Sequence, residues 1–161
     1  MDVTARAATI GDIPELIRLY RLLEEEMIPL EGIWPLAAGL PEPAADAFTG
    51  ALATPGTTVL IGAIDRVPLG FLVGVREAMP PHGAGALVGS IRYIFTQQDA
   101  RDVGVAEAMM TTYLDQERAA GIGLFDAHVT PGHRSAKAFF EAKGFSARSI
   151  VMHHADGDGP V

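Results

Sequence analysis

The sequence predicts one α/β domain of mixed α+β type, built on a mixed central sheet. Three observations carry that prediction. Apolar periodicity along the chain reads β-α-(α)-β-β-β-α-β-α-β. Three consecutive β-rich runs are joined by short links while later strands alternate with helices, so antiparallel and parallel neighbours must coexist. Finally, 161 residues with 48% hydrophobic and 20% charged content suffice for one core, and no repeat or composition break marks a linker. The domain is expected over residues 1–152, with 153–161 a frayed tail.

The elements follow in order. Val3–Thr9 reads as a short first strand. "GDIPELIRLYRLLEEEM" is the clearest helix: Asp12 can cap it, Glu15 three residues on completes a capping-box pattern, and Pro14 is tolerated in the first turn. Leu16, Leu19, Leu23 and Met27 recur on one helical face and read as core. The Ile28–Asp46 stretch is rich in proline, so it reads as a long loop leading to a short helix at about Ala44–Ala53. Trp34 in this loop either walls a pocket or anchors the loop to the core. "TTVLIGAI" and "PLGFLVGV" are strands linked by Asp65–Pro68, and Arg76–Ala86 is a Pro/Gly loop. A strand over Leu87–Thr96 precedes a helix from about Gly104 to Ala120, closed by Gly121. Leu124–Thr130 is a strand, "HRSAKAFFEAK" a helix stopped by Gly144, and "FSARSIVM" a final strand.

Composition excludes several classes. The net charge of −8 lacks the basic footprint of a nucleic-acid surface. There is no cysteine, hence no disulfide scaffold, thiolate metal site or cysteine nucleophile. The first residues lack the pattern of a signal peptide, and no apolar run approaches the ~18 residues of a membrane span. A soluble, cytoplasmic protein without nucleic-acid or membrane partners is the expectation.

The chemistry-bearing stretch is "QQDARDVGVAEAMM", a small-residue turn between a strand and a helix. Three designs share that outline. A Walker P-loop needs paired glycines and a following Lys-Ser/Thr, but the only lysines are Lys137 and Lys143. A dinucleotide fingerprint needs three glycines after the first strand, whereas this turn comes late and has only Gly104. The third design is a pyrophosphate cradle. Gly104 and Ala106 allow close backbone approach, the helix N-terminus adds its dipole, and Arg101 supplies a charge suited to phosphate.

The spacing Arg101-x-x-Gly104-x-Ala106 resembles the acetyl-CoA motif of the GNAT N-acetyltransferase superfamily. A second stretch resembles that family's downstream signature, with Val129, His133, Ala136, Phe140 and Gly144-Phe145 in the corresponding places. With the order of elements, the resemblance covers about Val3 to Met152. It implies a GNAT-like domain whose cosubstrate is acetyl-CoA, with no metal. The pantetheine arm would lie between splayed strands, paired with Ile94, Phe95 and Thr96, and contacted by His133, Ala136 and Phe140. Arg101, Asp102, Val103, Gly104, Val105 and Ala106 would wrap the pyrophosphate.

The implied reaction is acetyl transfer to an amine, from a small molecule or a peptide, by direct attack. The amine proton needs an acceptor and the departing thiolate benefits from an acid. By resemblance, His128 stands where some members carry a glutamate base, and its ordinary pKa suits that task. It reads equally as a structural strand histidine, with Asp126 on the same face. Phe140 departs from the family's tyrosine acid, and His133 from its usual asparagine. Tyr93, on the cofactor-side strand, is the substitute acid or a packed strand aromatic. The alternative function is an acyl-CoA-binding regulatory or catalytically weak relative. Dimers are common among similar proteins, so a homodimer stays open. His153, His154, Asp156 and Asp158 match no zinc spacing and read as solvated.

Overall fold

Alternation of apolar and small residues commits the middle of the chain to strands, and five strands form one sheet in the order β1-β2-β3-β4-β5. The computed structural model describes residues 1–30, 39–79 and 83–157, so Trp34 and Asp158 lie outside the described residues. The strands are Val3–Ala7 (β1), Thr57–Ile64 (β2), Val67–Ala78 (β3), Leu87–Thr96 (β4) and Phe125–Ala127 (β5). β1 to β4 are antiparallel neighbours, and β5 pairs in parallel with β4. The helices are Ile13–Met27 (α1), Ala44–Ala53 (α2), Val105–Ala119 (α3) and Arg134–Ala142 (α4). This is the mixed fold expected, and its last two strands pair over only three residues.

Each sheet face carries its own core. Leu16, Leu19, Tyr20, Leu23 and Met27 of α1 and Phe48 of α2 pack on Val59, Ile61, Phe71, Val73 and Phe95. Opposite them, Val105, Met109, Met110 and Tyr113 of α3 and Phe140 of α4 pack on Leu60, Leu72 and Ile91. The two residues of each pair Leu60/Ile61 and Leu72/Phe71 point to opposite faces, so neither strand can slip by one residue without exposing its core. Gly74 lets α3 settle close: a Cβ there would lie 2.4 Å from the Tyr113 ring.

Five sequence expectations need correction. The capping box sits upstream, where Asp12 Oδ2 accepts from the Thr9 N–H at 2.8 Å and pairs with Arg6. That pairing holds the Asp12 carboxyl down at about 2. The β2–β3 link is the two-residue turn Asp65–Arg66, both at positive φ, and β3 runs on to Ala78 into the expected loop. β5 spans three residues rather than seven, because β4 offers it partners only at Gly89–Ile91. The "FSARSIVM" segment is no strand. Ile150, Val151 and Met152 are exposed, and Arg148 holds the segment beside β5 through Asp126 at 2.6 Å. Among the described residues, no helix is long and apolar enough to cross a membrane.

The packing of α3 gives a direct test. Gly74→Ala forces a methyl against the buried Tyr113 ring and is expected to cost about 1–3 kcal/mol. Gly50→Ala, in the exposed middle of α2 with open space around it, is expected to gain about 0.5–1 kcal/mol. Thermal denaturation should therefore show Tm falling in the first variant and rising in the second.

Candidate active site

The site begins with a counting mismatch in β4. Val73 pairs with Tyr93, but the next residue, Gly74, pairs with Ile91, leaving Arg92 as an extra residue. The bulge is visible in the side chains. Ile91 and Ile94, an odd and an even position, both face the α3 core, whereas Tyr93 and Phe95 face α1. Parallel pairing with β5 ends at the same point, the last contacts being Ile91 with Ala127 and His128 N–H to Ile91 C=O at 3.0 Å. Beyond it, among the described residues, Ile94–Thr96 has no strand partner on the β5 side, and a slot opens between the two chains.

The slot leads to a cleft of about 330 Å³. Ile94, Phe95 and Thr96 form one wall, and His133, Ser135, Ala136 and Phe139 the other. Arg101, Asp102, Gly104, Val105 and Ala106 close its head. A smaller cavity of about 40 Å³ shares Ile94, His133 and Ala136 with it and continues inward to Tyr93, His128 and Phe140. The structure thus brings the sequence-predicted residues together along one channel, save that Val103, exposed on the turn, lines neither part.

At the head of α3 the chain turns through two left-handed residues, Asp102 at φ 66° and Gly104 at φ 96°. Any side chain at Gly104 would be strained. The first N–H groups of α3 have no partner within the helix, which is the usual donor set for an anion. Arg101 beside them is already committed. Its Nε donates to Thr96 C=O at 2.9 Å, its Nη2 to Glu26 at 2.6 Å, and its guanidinium lies 5.5 Å from the Phe95 ring centre. Glu26 also accepts from His133 Nε2 at 3.1 Å. One carboxylate at the end of α1 therefore links the head of the cleft to the wall that carries His133.

Sequence reasoning missed Glu26. The available signal was its place three residues after Leu23, on the border of the apolar stripe of α1. Ser90 was missed as well. It is fully buried, and its hydroxyl lies 3.0 Å from His128 Nε2.

The inner end is electrostatically mixed. His128 is exposed on one side. Partial enclosure of its ring, and then the positive charge of Arg92, hold its pKa below the usual 6.5, against the opposing pull of Asp126. A neutral imidazole at neutral pH can accept a proton. Burial pushes the Tyr93 hydroxyl up to about 12, so it keeps its proton at neutral pH and can donate it in a hydrogen bond. Its ring packs edge-on against Tyr20 at 6.1 Å. Phe140 is buried between Phe139 and Phe145 and offers no proton. Among the described residues, no group of three His, Asp or Glu could hold a metal ion.

Comparison with known proteins agrees with this geometry. The sequence profile described as "Acetyltransferase (GNAT) family" matches residues 16–145. No curated protein sequence matches the chain. Among solved structures, a tetramutant of the BH1408 protein from Bacillus halodurans has a TM-score of 0.82 at 19% identity, covering 96% of this chain and 99% of that one. The AAC(6')-Iy structure, a complex with the bisubstrate analog CoA-S-monomethyl-acetylneamine, has a TM-score of 0.75 at 18% identity over 98% and 99% of the two chains. A ribosomal-protein-alanine N-acetyltransferase from Brucella melitensis biovar Abortus 2308 has a TM-score of 0.70 at 16% identity over 97% and 100%. Likeness at these identities concerns the fold. The profile match spans most of the sequence, and the chain belongs to the acetyltransferase (GNAT) family.

Proposed function

We propose that this protein moves an acetyl group from acetyl-CoA to an amine by direct attack, in the slot that opens beyond the Arg92 bulge. The observation that carries the reading is the continuity of that slot with the left-handed turn at Gly104. It offers an unpaired strand edge for amides at one end and helix N–H donors for phosphates at the other. The size also suits a ligand site. Acetyl-CoA, when bound, supplies an activated acetyl carbon: the amine nitrogen bonds to it as the carbon–sulfur bond breaks.

The chain's own residues would do the rest. Backbone groups of Ile94–Thr96 pair with the extended arm of the ligand. The N–H groups from Val103 to Ala106 hold its pyrophosphate, and His133, Ala136 and Phe140 pack against the arm. His128 takes the proton released by the attacking amine, a task its lowered pKa suits. Tyr93 donates a hydrogen bond to the departing thiolate. The acceptor enters from the α1 side of the sheet. The AAC(6')-Iy complex with an acetylneamine analog makes a small-molecule amine a natural first acceptor to try. The acidic balance of the chain also favours a cationic acceptor over an anionic one. Phe140 supports a second reading, a module that binds acetyl-CoA with little turnover.

Calorimetric titration with acetyl-CoA is expected to give micromolar binding. Gly104→Val should weaken it at least about tenfold by straining the turn. An absence of binding at millimolar ligand would refute both readings.

With an amine found by an acetylation screen, the acid limb of the kcat/KM profile should fall below the ordinary histidine value of 6.5. The sign follows from the lowered pKa: His128 is the neutral acceptor above that value and is lost as a base when pH drops through it. His128→Ala should remove the limb and lower kcat roughly 10²-fold. Parent-like kcat and an unchanged limb would remove His128 as base, and absence of turnover in the parent would favour the binding module.

Glu26 makes the third test. Its carboxylate competes for Arg101 and faces incoming phosphates. Glu26→Gln should free Arg101 and tighten acetyl-CoA binding about three- to tenfold, with a shallower salt dependence of the gain at high ionic strength. Weaker binding in that variant would show that the bridge builds the site rather than obstructing it.

A further inference from the structure

Ser90 has no part in the activity so far described. It lies on β4 opposite Asp126 of β5, two residues before the bulge, and is completely buried. A buried hydroxyl must use its hydrogen-bonding capacity, and its partner here is His128 Nε2 at 3.0 Å. His128 follows β5 immediately, with its backbone N–H tied to Ile91 C=O at 3.0 Å. Main chain and side chain are thus both fastened to β4, one at Ile91, its last residue paired with β5, and the other at Ser90 just before it. Two fastenings leave the ring little freedom to turn.

The contact also distinguishes the two ring nitrogens. With Nε2 engaged by Ser90, Nδ1 is the ring nitrogen left free of that contact. A hydroxyl oxygen can accept from Nε2–H both before and after Nδ1 gains a proton, because Nε2 carries hydrogen in each state. The reverse orientation, with Ser90 donating to Nε2, places the hydrogen on Nδ1 and leaves no accessible lone pair. The charged groups around the ring are Arg92 on β4, Asp126 on β5 and Arg148 after α4. Asp126 is held by Arg148 at 2.6 Å, so a hydroxyl rather than a carboxylate is the group hydrogen-bonded to His128.

We propose that Ser90 is a positioning residue that fixes the His128 ring and its tautomer, with hydrogen on Nε2 facing Ser90 and the Nδ1 lone pair facing the acceptor amine. The proposal rests on the acetyl-transfer reading for its purpose, yet the state of the ring is measurable without turnover. When the base acts, the amine N–H bond breaks and the proton moves to Nδ1, while the electron pair stays on the nitrogen now bonded to the acetyl carbon. Ser90 oxygen goes on accepting from Nε2 throughout.

Nitrogen-15 NMR of histidine-labelled full-length protein at neutral pH reads the tautomer directly, with His128→Ala assigning the signal. The expected result is hydrogen on Nε2 in the parent and a mixed tautomer in Ser90→Ala. Hydrogen on Nδ1 in the parent, or an unchanged ring signal in Ser90→Ala, would overturn the proposal. The parent measurement stands even if the variant does not fold. In turnover assays Ser90→Ala should lower kcat at least about tenfold while KM for acetyl-CoA stays within about twofold. A parent-like kcat would also overturn it. A parent without turnover would instead count against the acetyl-transfer reading, and the ring signal would still decide the role of Ser90.

Discussion

A single extra residue in β4 organises this molecule. Arg92 has no counterpart in β3, so the strand changes the parity of its side chains between Ile91 and Tyr93. Before the bulge β4 holds β5 by backbone pairing, and after it, among the described residues, Ile94–Thr96 has no strand partner on that edge. A sheet edge with unspent N–H and C=O groups is costly to bury and hazardous to expose, unless something else pairs with it. That edge lies in a cleft lined by Glu26 of α1 and by His133, Ser135, Ala136 and Phe139 at α4, and under the proposed function it serves as a linear binding surface. The helix at its end is fixed by close packing of Tyr113 against Gly74, which holds the Gly104 turn in line with the slot.

The electrostatics of the slot are divided along its length. At the outer end Glu26 pairs with Arg101 and hydrogen-bonds His133, so the Arg101 charge is engaged within the protein. Partly exposed pairs of this kind contribute little to stability, so under the proposed function their exchange for a phosphate costs little. At the inner end His128 and Tyr93 are shifted in opposite directions by enclosure: the histidine toward its neutral, accepting form and the phenol toward its protonated, donating form. Both residues line the inner cavity, and under the proposed function these opposite shifts suit a base and an acid.

Much of the fold was legible because its signals are local. The Leu16–Met27 stripe, the limits of α2 and the span of β4 depend on periodicity and turn residues, and all three match the structure. The Gly104 turn was legible because a missing Cβ is written in the sequence. What failed depends on pairing between distant segments. β5 stops after Ala127 because β4 bends away at Arg92, and no property of "LFDAHVT" encodes where its neighbour bends. The "FSARSIVM" run has strand composition, but composition cannot supply an edge to pair with. Glu26 and Ser90 were illegible as site residues for the same reason: each gains meaning from a partner more than 35 residues away, His133 and Arg101 for one and His128 for the other.

The central claim is that the open edge of β4 and the turn at Gly104 form one continuous ligand surface. Amide hydrogen exchange, resolved by residue and compared with and without acetyl-CoA, tests it most directly. The account predicts new protection at Ile94–Thr96 and at Val103–Glu107 together, with β1 and β2 unchanged. Protection confined to one of those stretches, or appearing on the far strands instead, would contradict it.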